Sequence, residues 1–174
     1  MTNTGDSSRP EPWLRGTHIE VPAVARGVLH ALELAQEDLH RWCGSLSGEQ
    51  LYTKPSGVPS VAFQLRHIAG SVDRLLTYAE GDSLTDLQLR DLKEEPEVTG
   101  SASELLARID ATLARASQRI RVLASLDLAA PRSVGKKRLP TTLGGLLVHI
   151  ADHTQRHVGQ AVTTAKLVSA PKIF

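Results

Sequence analysis

The chain of 174 residues has a single cysteine, Cys43. An internal disulfide is excluded, and with the polar start Met1-Thr2-Asn3-Thr4-Gly5-Asp6 this argues against secretion, so the cytoplasm is the expected compartment. Charge of one sign is also missing. Lysine and arginine number 20 against 19 acidic residues, a formal charge of +1 that offers no electrostatic footprint for a nucleic-acid backbone. There is no run of about 18 apolar residues, so nothing reads as a membrane span and the chain is expected to be soluble. No stretch has a convincing strand pattern. The length suits one domain able to bury a real core without staples.

What is present is helical period. Residues 1–20 are polar and carry Pro10, Pro12 and Gly16, a loose N-terminal arm expected to end by pinning Trp13 and Leu14 onto the body. From about Val21 to Cys43, the apolar residues Val24, Val28, Ala31, Leu32, Ala35, Leu39 and Trp42 recur at steps of three and four, which predicts helix one. His30 and His40 sit there among Glu33, Glu37 and Arg41 and read as members of a solvated face. Cys43 reads as a small packing residue. Residues 44–59 are a connection punctuated by glycine and proline, with one short turn at residues 47–51. Ser60 then caps helix two, whose stripe is Leu65, Ile68, Val72, Leu75 and Ala79 and which ends near Gly81. His67 stands beside that stripe.

Residues 81–100 are too long for a tight turn between antiparallel neighbours and predict a crossover. It holds a short helical piece around Leu84 to Leu92, where Leu84, Leu87 and Leu89 could cover one end of the bundle. Glu94, Glu95 and Glu97 read as a solvated acidic patch. Ser101 with Glu104 is a capping box that opens helix three, which Leu105, Leu106, Ile109, Leu113, Ala116, Ile120 and Leu123 carry to about Leu126. Pro131, Gly135 and Pro140 around Lys136-Lys137-Arg138 predict an exposed loop or small hairpin, whose cations could steer an anionic substrate to a nearby pocket. Thr141 or Thr142 caps helix four, which runs to about Val168 over Leu143, Leu147, Ile150, Val158, Ala161, Ala165 and Val168. The reading is therefore an all-α four-helix bundle over residues 21–168, with a long crossover between helices two and three and a short tail at 169–174.

Helix four contains the row His149, His153 and His157 at a strict spacing of four. On a helix these stack along one face about one turn, roughly 6 Å, apart, so an adjacent pair can close on one cation while the third stays outside. Two imidazoles are half of a transition-metal site, and in bundles the rest comes from a facing helix. His67 is the candidate. Spacing alone leaves open whether it joins His149 with His153 or His153 with His157.

Leu65-Arg66-His67-Ile68-Ala69 on the second helix, combined with His153-x-x-x-His157-Val158-Gly159-Gln160 on the fourth, resembles the DinB-like family of bacterial four-helix metalloproteins. The resemblance covers nearly the whole chain, including the long crossover. By position it implies His67, His153 and His157 as ligands of a divalent ion, and so selects the second pair. The family often follows its last ligand with Arg-Gly-Gln; this chain has Val158-Gly159-Gln160, with Arg156 one residue before the ligand instead.

Three neutral imidazoles leave one or two coordination positions open, the condition for a catalytic ion. Zinc is the first choice, with nickel, iron and manganese compatible with the same ligands. Gln160 lies on the ligand face, placed to orient a bound molecule or water, and His149 lies one turn before the ligands, placed to line the pocket or donate a proton. Asp152 reads as an exposed aspartate or a second neighbour to a histidine. The resemblance implies a metal-dependent enzyme of the thiol S-transferase or hydrolase type, acting on a small-molecule substrate, with a low-molecular-weight thiol as possible cofactor and a homodimer as possible assembly. The alternative is a stress-related bundle without turnover, whose ion ties helix two to helix four. A catalytic ion needs an open position and a structural one a fourth protein ligand, for which the sequence offers no obvious candidate.

Overall fold

Five hydroxyl side chains start five helices. Ser47, Ser60, Thr85, Ser101 and Thr142 each accept a hydrogen bond from the backbone N–H three residues on, which satisfies a donor that the first turn leaves free. At Ser47, Thr85 and Ser101 the side chain of Gln50, Gln88 or Glu104 reaches back to complete a capping box. The computed structural model describes residues 9–97 and 99–170; the polar start at residues 1–6 and residues 171–174 of the expected tail lie outside these.

The helices are α1 (Ala23–Cys43), α2 (Gly48–Tyr52), α3 (Val61–Glu80), α4 (Asp86–Lys93), α5 (Ala102–Leu123) and α6 (Leu143–Ser169). Helices one to four of the sequence reading are thus α1, α3, α5 and α6. α6 packs between α1 and α3, and α5 packs between the same two on the other side, which closes a four-helix ring. Its centre holds Leu39, Leu65, Ile68, Leu76, Ile109, Ile120, Leu147 and Ile150, all essentially sealed from solvent. α3 ends where Gly81 takes a left-handed φ of 96°, which glycine adopts without the clash a Cβ would bring.

The basic segment forms a hairpin, β1 (Pro131–Val134) with β2 (Leu139–Thr142), in antiparallel register from Pro131 opposite Thr142 to Val134 opposite Leu139. Arg132 anchors it by donating from Nε to the carbonyl of Ala79 at 2.6 Å. The base of the hairpin therefore stands beside the C-terminal end of α3, with Lys136-Lys137-Arg138 in the exposed turn at its tip. Ala79 is twelve residues beyond His67, about 18 Å along the helix axis, which is the distance of the hairpin's anchor point from His67 along α3.

Four expectations are corrected. Trp13 and Leu14 are not pinned down, Trp13 being 61% exposed; the arm is held by Arg15, whose guanidinium makes two bonds of 2.6 and 2.8 Å to Glu37. Leu87, at 59% exposure, and Leu89 face solvent instead of covering the bundle. α4 is docked by polar contacts, Gln88 Nε2 donating to Asp73 at 2.6 Å and to Thr77 at 2.8 Å. His30 is buried, its Nε2 3.1 Å from the Thr17 hydroxyl, because the arm folds back over this part of α1. In the core stripes Ala25 and Leu76 are buried in place of Val24 and Leu75, one position out of phase, since adjacent positions compete when a helix has neighbours on two sides.

Leu39 is fully buried on α1, a helix that carries none of the three clustered histidines. Leu39→Ala is expected to lower unfolding stability by about 2–5 kcal/mol, the range for emptying a leucine site, read as a shift of the urea midpoint. A loss below about 1 kcal/mol would mean that the core is not packed as described.

Candidate metal centre

His67 occupies the second turn of α3 between the sealed residues Leu65 and Ile68, which fix the rotation of the helix and leave His67 half-buried at the edge of the core face. α6 lies alongside, held by Leu147, Ile150, Val158 and Ala161. The period that buries these four also presents His153 and His157 to α3. The ring centroids of His67 and His157 are 4.3 Å apart, those of His67 and His153 5.2 Å, and those of His153 and His157 4.5 Å. One ring nitrogen from each of the three lies within 4.8 Å of the others.

His149 stands at the margin. Among the described residues its ring meets that of His153 alone, edge-on at 5.5 Å, its side chain is about half exposed, and its Nδ1 is 3.9 Å from Asp152. Asp152 itself pairs with Arg156 at 2.6 Å on the outer face of α6. Gln160 is exposed one turn beyond His157 on the same helix. Val158, where the resemblance has an arginine, is buried in the core.

Two residues to which the sequence assigned no part in the site orient the imidazoles. His67 Nδ1 donates to Glu95 Oε2 at 2.8 Å, and His157 Nδ1 donates to Gln64 Oε1 at 2.8 Å. Each bond places the proton on Nδ1 and turns the lone pair of Nε2 toward the cluster, which is how metal-binding histidines are usually held. His153 has no such partner: its Nδ1 is buried without a hydrogen bond.

Glu95 corrects the reading of residues 94–97 as a solvated patch, for it is 4% exposed. Burial raises its pKa, but the bond from His67 and the guanidinium of Arg74 outweigh that and hold it below the ordinary carboxylate value. Arg74 Nη2 stands 2.7 Å from Glu95 Oε1, a coulombic contact too oblique for a hydrogen bond. Gly70 makes room for both, since a Cβ there would lie 2.6 Å from the Arg74 guanidinium and 2.7 Å from Glu95 Oε1. A polar residue within an apolar stripe needs a partner, so Gln64 at the edge of the stripe of helix two was a signal. Nothing in the local sequence marked Glu95, because its partners lie 21 to 28 residues earlier in the chain.

The electrostatics disfavour the charged forms of His153 and His157. Burial first, then the positive forms of His157 and His67, push the pKa of His153 down to about 4 from 6.5. His157 is lowered as well, by burial first and then by the neighbouring His67. Neutral imidazoles with oriented lone pairs are what a divalent ion binds. The donor set therefore fits a metal.

The depressed value of His153 has a sign for stability. Below pH 6.5 the unfolded chain takes up a proton at this residue that the folded chain refuses until about pH 4. The metal-free protein should thus lose stability as pH falls from 6.5 to 4, and His153→Gln should flatten that slope. Urea midpoints at several pH values measure both, and equal slopes for the two proteins would refute the burial of a neutral His153. Glu95→Ala is expected to weaken metal affinity about 10- to 100-fold, the usual effect of removing such a partner, with Glu95→Gln in between because its amide oxygen can still accept from Nδ1. Competition against a chromophoric chelator reads this, and unchanged affinity in Glu95→Ala would separate Glu95 from the site.

The model of the DinB superfamily matches residues 31–161, a span that includes α3, α5, most of α6 and all three clustered histidines. No curated protein matches the chain. The DinB resemblance read from the two histidine segments thus extends over most of the bundle, and the chain belongs to the DinB superfamily.

Proposed function

We propose that this protein is a metal-dependent enzyme, of the thiol S-transferase or hydrolase type, acting on a small-molecule substrate with His67, His153 and His157 as the ligands of one divalent ion. The observation that carries this reading is that the convergent group among the described residues has three members and no fourth. A tetrahedral ion held by three protein ligands keeps a position for an exchangeable one. Zinc suits three neutral imidazoles best, and nickel, iron or manganese would be accepted by the same donors. When bound, such an ion lowers the pKa of a coordinated thiol or water and makes it a nucleophile near neutral pH.

The residues of the chain do the positioning. Glu95 and Gln64 fix the orientation of His67 and His157, so little reorganisation accompanies coordination. Gln160, exposed next to His157, is placed to hold the electrophile or a water by its amide. His149, half-exposed beside His153, is placed to move a proton to or from a leaving group. Cys43 is no second nucleophile: it is buried on α1 and burial pushes its thiol up to about 12.

Untagged protein is expected to hold about one ion per chain, lost in His67→Ala, His153→Ala and His157→Ala and kept in His149→Ala. The cobalt(II) form, titrated with a small thiol, should then develop a thiolate-to-metal charge-transfer band or, if water is the nucleophile, show metal-dependent ester hydrolysis. An ion that stays bound while neither appears would leave it the role of tying α3 to α6.

A further inference from the structure

Phe63 lies one turn before His67 on α3, and its ring is stacked on that of His67, with centroids 5.7 Å apart and planes 8° from parallel. Its side chain also lines a cavity of about 330 Å³. Pro96, the neighbour of Glu95, lines the same cavity. Two walls of this space are thus Phe63, which stacks on His67, and Pro96, which follows the residue that bonds His67. The remaining walls come from the connection before α3: Tyr52, Lys54, Gly57 and Pro59. The turn Pro55–Gly57 within it packs against α6, so the connection bridges the two helices that carry the histidines. Ser56 in that turn has a left-handed backbone, φ 51° and ψ 28°, strain that a serine adopts only where the surroundings impose it.

The chemistry of the lining is selective. Phe63, Pro59 and Pro96 provide flat apolar faces suited to a planar ring. Among the described residues of the lining, Lys54 is the only charged one and none carries a carboxylate. Tyr52 donates its hydroxyl proton to the carbonyl of Gly100 at 2.7 Å, so its oxygen turns lone pairs outward. Burial and the nearby Glu104 raise the pKa of that phenol, so it stays neutral. A cation with no carboxylate among the described lining residues, beside apolar planes, favours an anionic aromatic or similarly planar molecule over a neutral or cationic one.

We infer that this cavity binds the body of the substrate, a planar apolar molecule bearing one anionic group of the carboxylate class, with the ring on Phe63 and Pro96 and the anion on Lys54. The inference rests on the metal-dependent reading above for the word substrate. The binding itself does not require the ion.

The probes are 2-naphthoate, the neutral 2-naphthamide and the cationic 2-naphthylmethylammonium, titrated into metal-free and metal-loaded full-length protein by calorimetry and by NMR shift mapping. Naphthoate should bind both forms, with shifts at Gly57, Phe63 and Lys54, and at least about 10-fold more tightly than the amide, the effect expected of one charge-assisted bond. The ammonium compound should bind least. Lys54→Met, at an exposed position, should fold normally and abolish the preference for naphthoate over the amide, whereas Lys54→Arg should keep it. Equal affinity for the acid and the amide, an unchanged preference in Lys54→Met, or shifts confined to another surface would overturn the inference. A cobalt–thiolate band without naphthoate binding would leave the metal reading standing and remove this cavity from it. Naphthoate binding with the expected preference but no band and no hydrolysis would keep the anion site and remove the catalytic reading.

Discussion

A buried carboxylate is costly unless its charge is met, and the short segment that carries Glu95 is built around meeting it. His67 Nδ1 on one oxygen and Arg74 beside the other supply the compensation, both from α3. Gly70 provides the space into which the carboxylate fits against that helix. The crossover between α3 and α5 is therefore tied to the face of α3 that carries His67. The tie has a chemical consequence as well as a structural one, because it decides which nitrogen of His67 carries the proton.

The same logic is repeated once on the facing side. Gln64, buried one turn before Ile68, accepts from His157 and sets that ring in the tautomer that frees Nε2. α3 thus supplies one member of the triad directly and orients a second from across the seam. His153 is held by packing alone, and it is the ring whose protonation the site resists most strongly. Such a cluster is poorly suited to holding protons and well suited to holding a metal ion. The arrangement depends on α3 and α6 being neighbours in the bundle, which the core residues on the inner stripes of both helices enforce.

Much of this was legible in the sequence because it is local. Ser60, Ser101 with Glu104, Gly81 and the hairpin around Gly135 are signals in which partners stand within a few residues of each other. The histidine spacing of four gave a face but could not choose between two pairs, since one turn either way looks the same without the facing helix. The family resemblance chose His153 with His157, and the geometry brings that pair to His67 while His149 stays at the margin. Glu95 was misread because an acidic run has the same appearance whether it faces water or a guanidinium that arrives from another helix. His30 was misread for a related reason: the polar residues around it describe α1 alone, and the arm that covers it comes from earlier in the chain. The leucines of α4 failed in the opposite sense, since Gln88 docks that helix and leaves them outside.

The most direct test of the centre is anomalous diffraction from crystals of the metal-loaded protein, recorded on both sides of the absorption edge of the metal. The account predicts one strong peak between α3 and α6, about 2.0–2.1 Å from Nε2 of His67 and His157 if the ion is zinc, with His153 as the third ligand and the bonds to Glu95 and Gln64 intact. A peak bound to His149 and Asp152 on the outer face of α6, or a peak at the triad with Nδ1 of His67 turned toward the ion and Glu95 released, would contradict it.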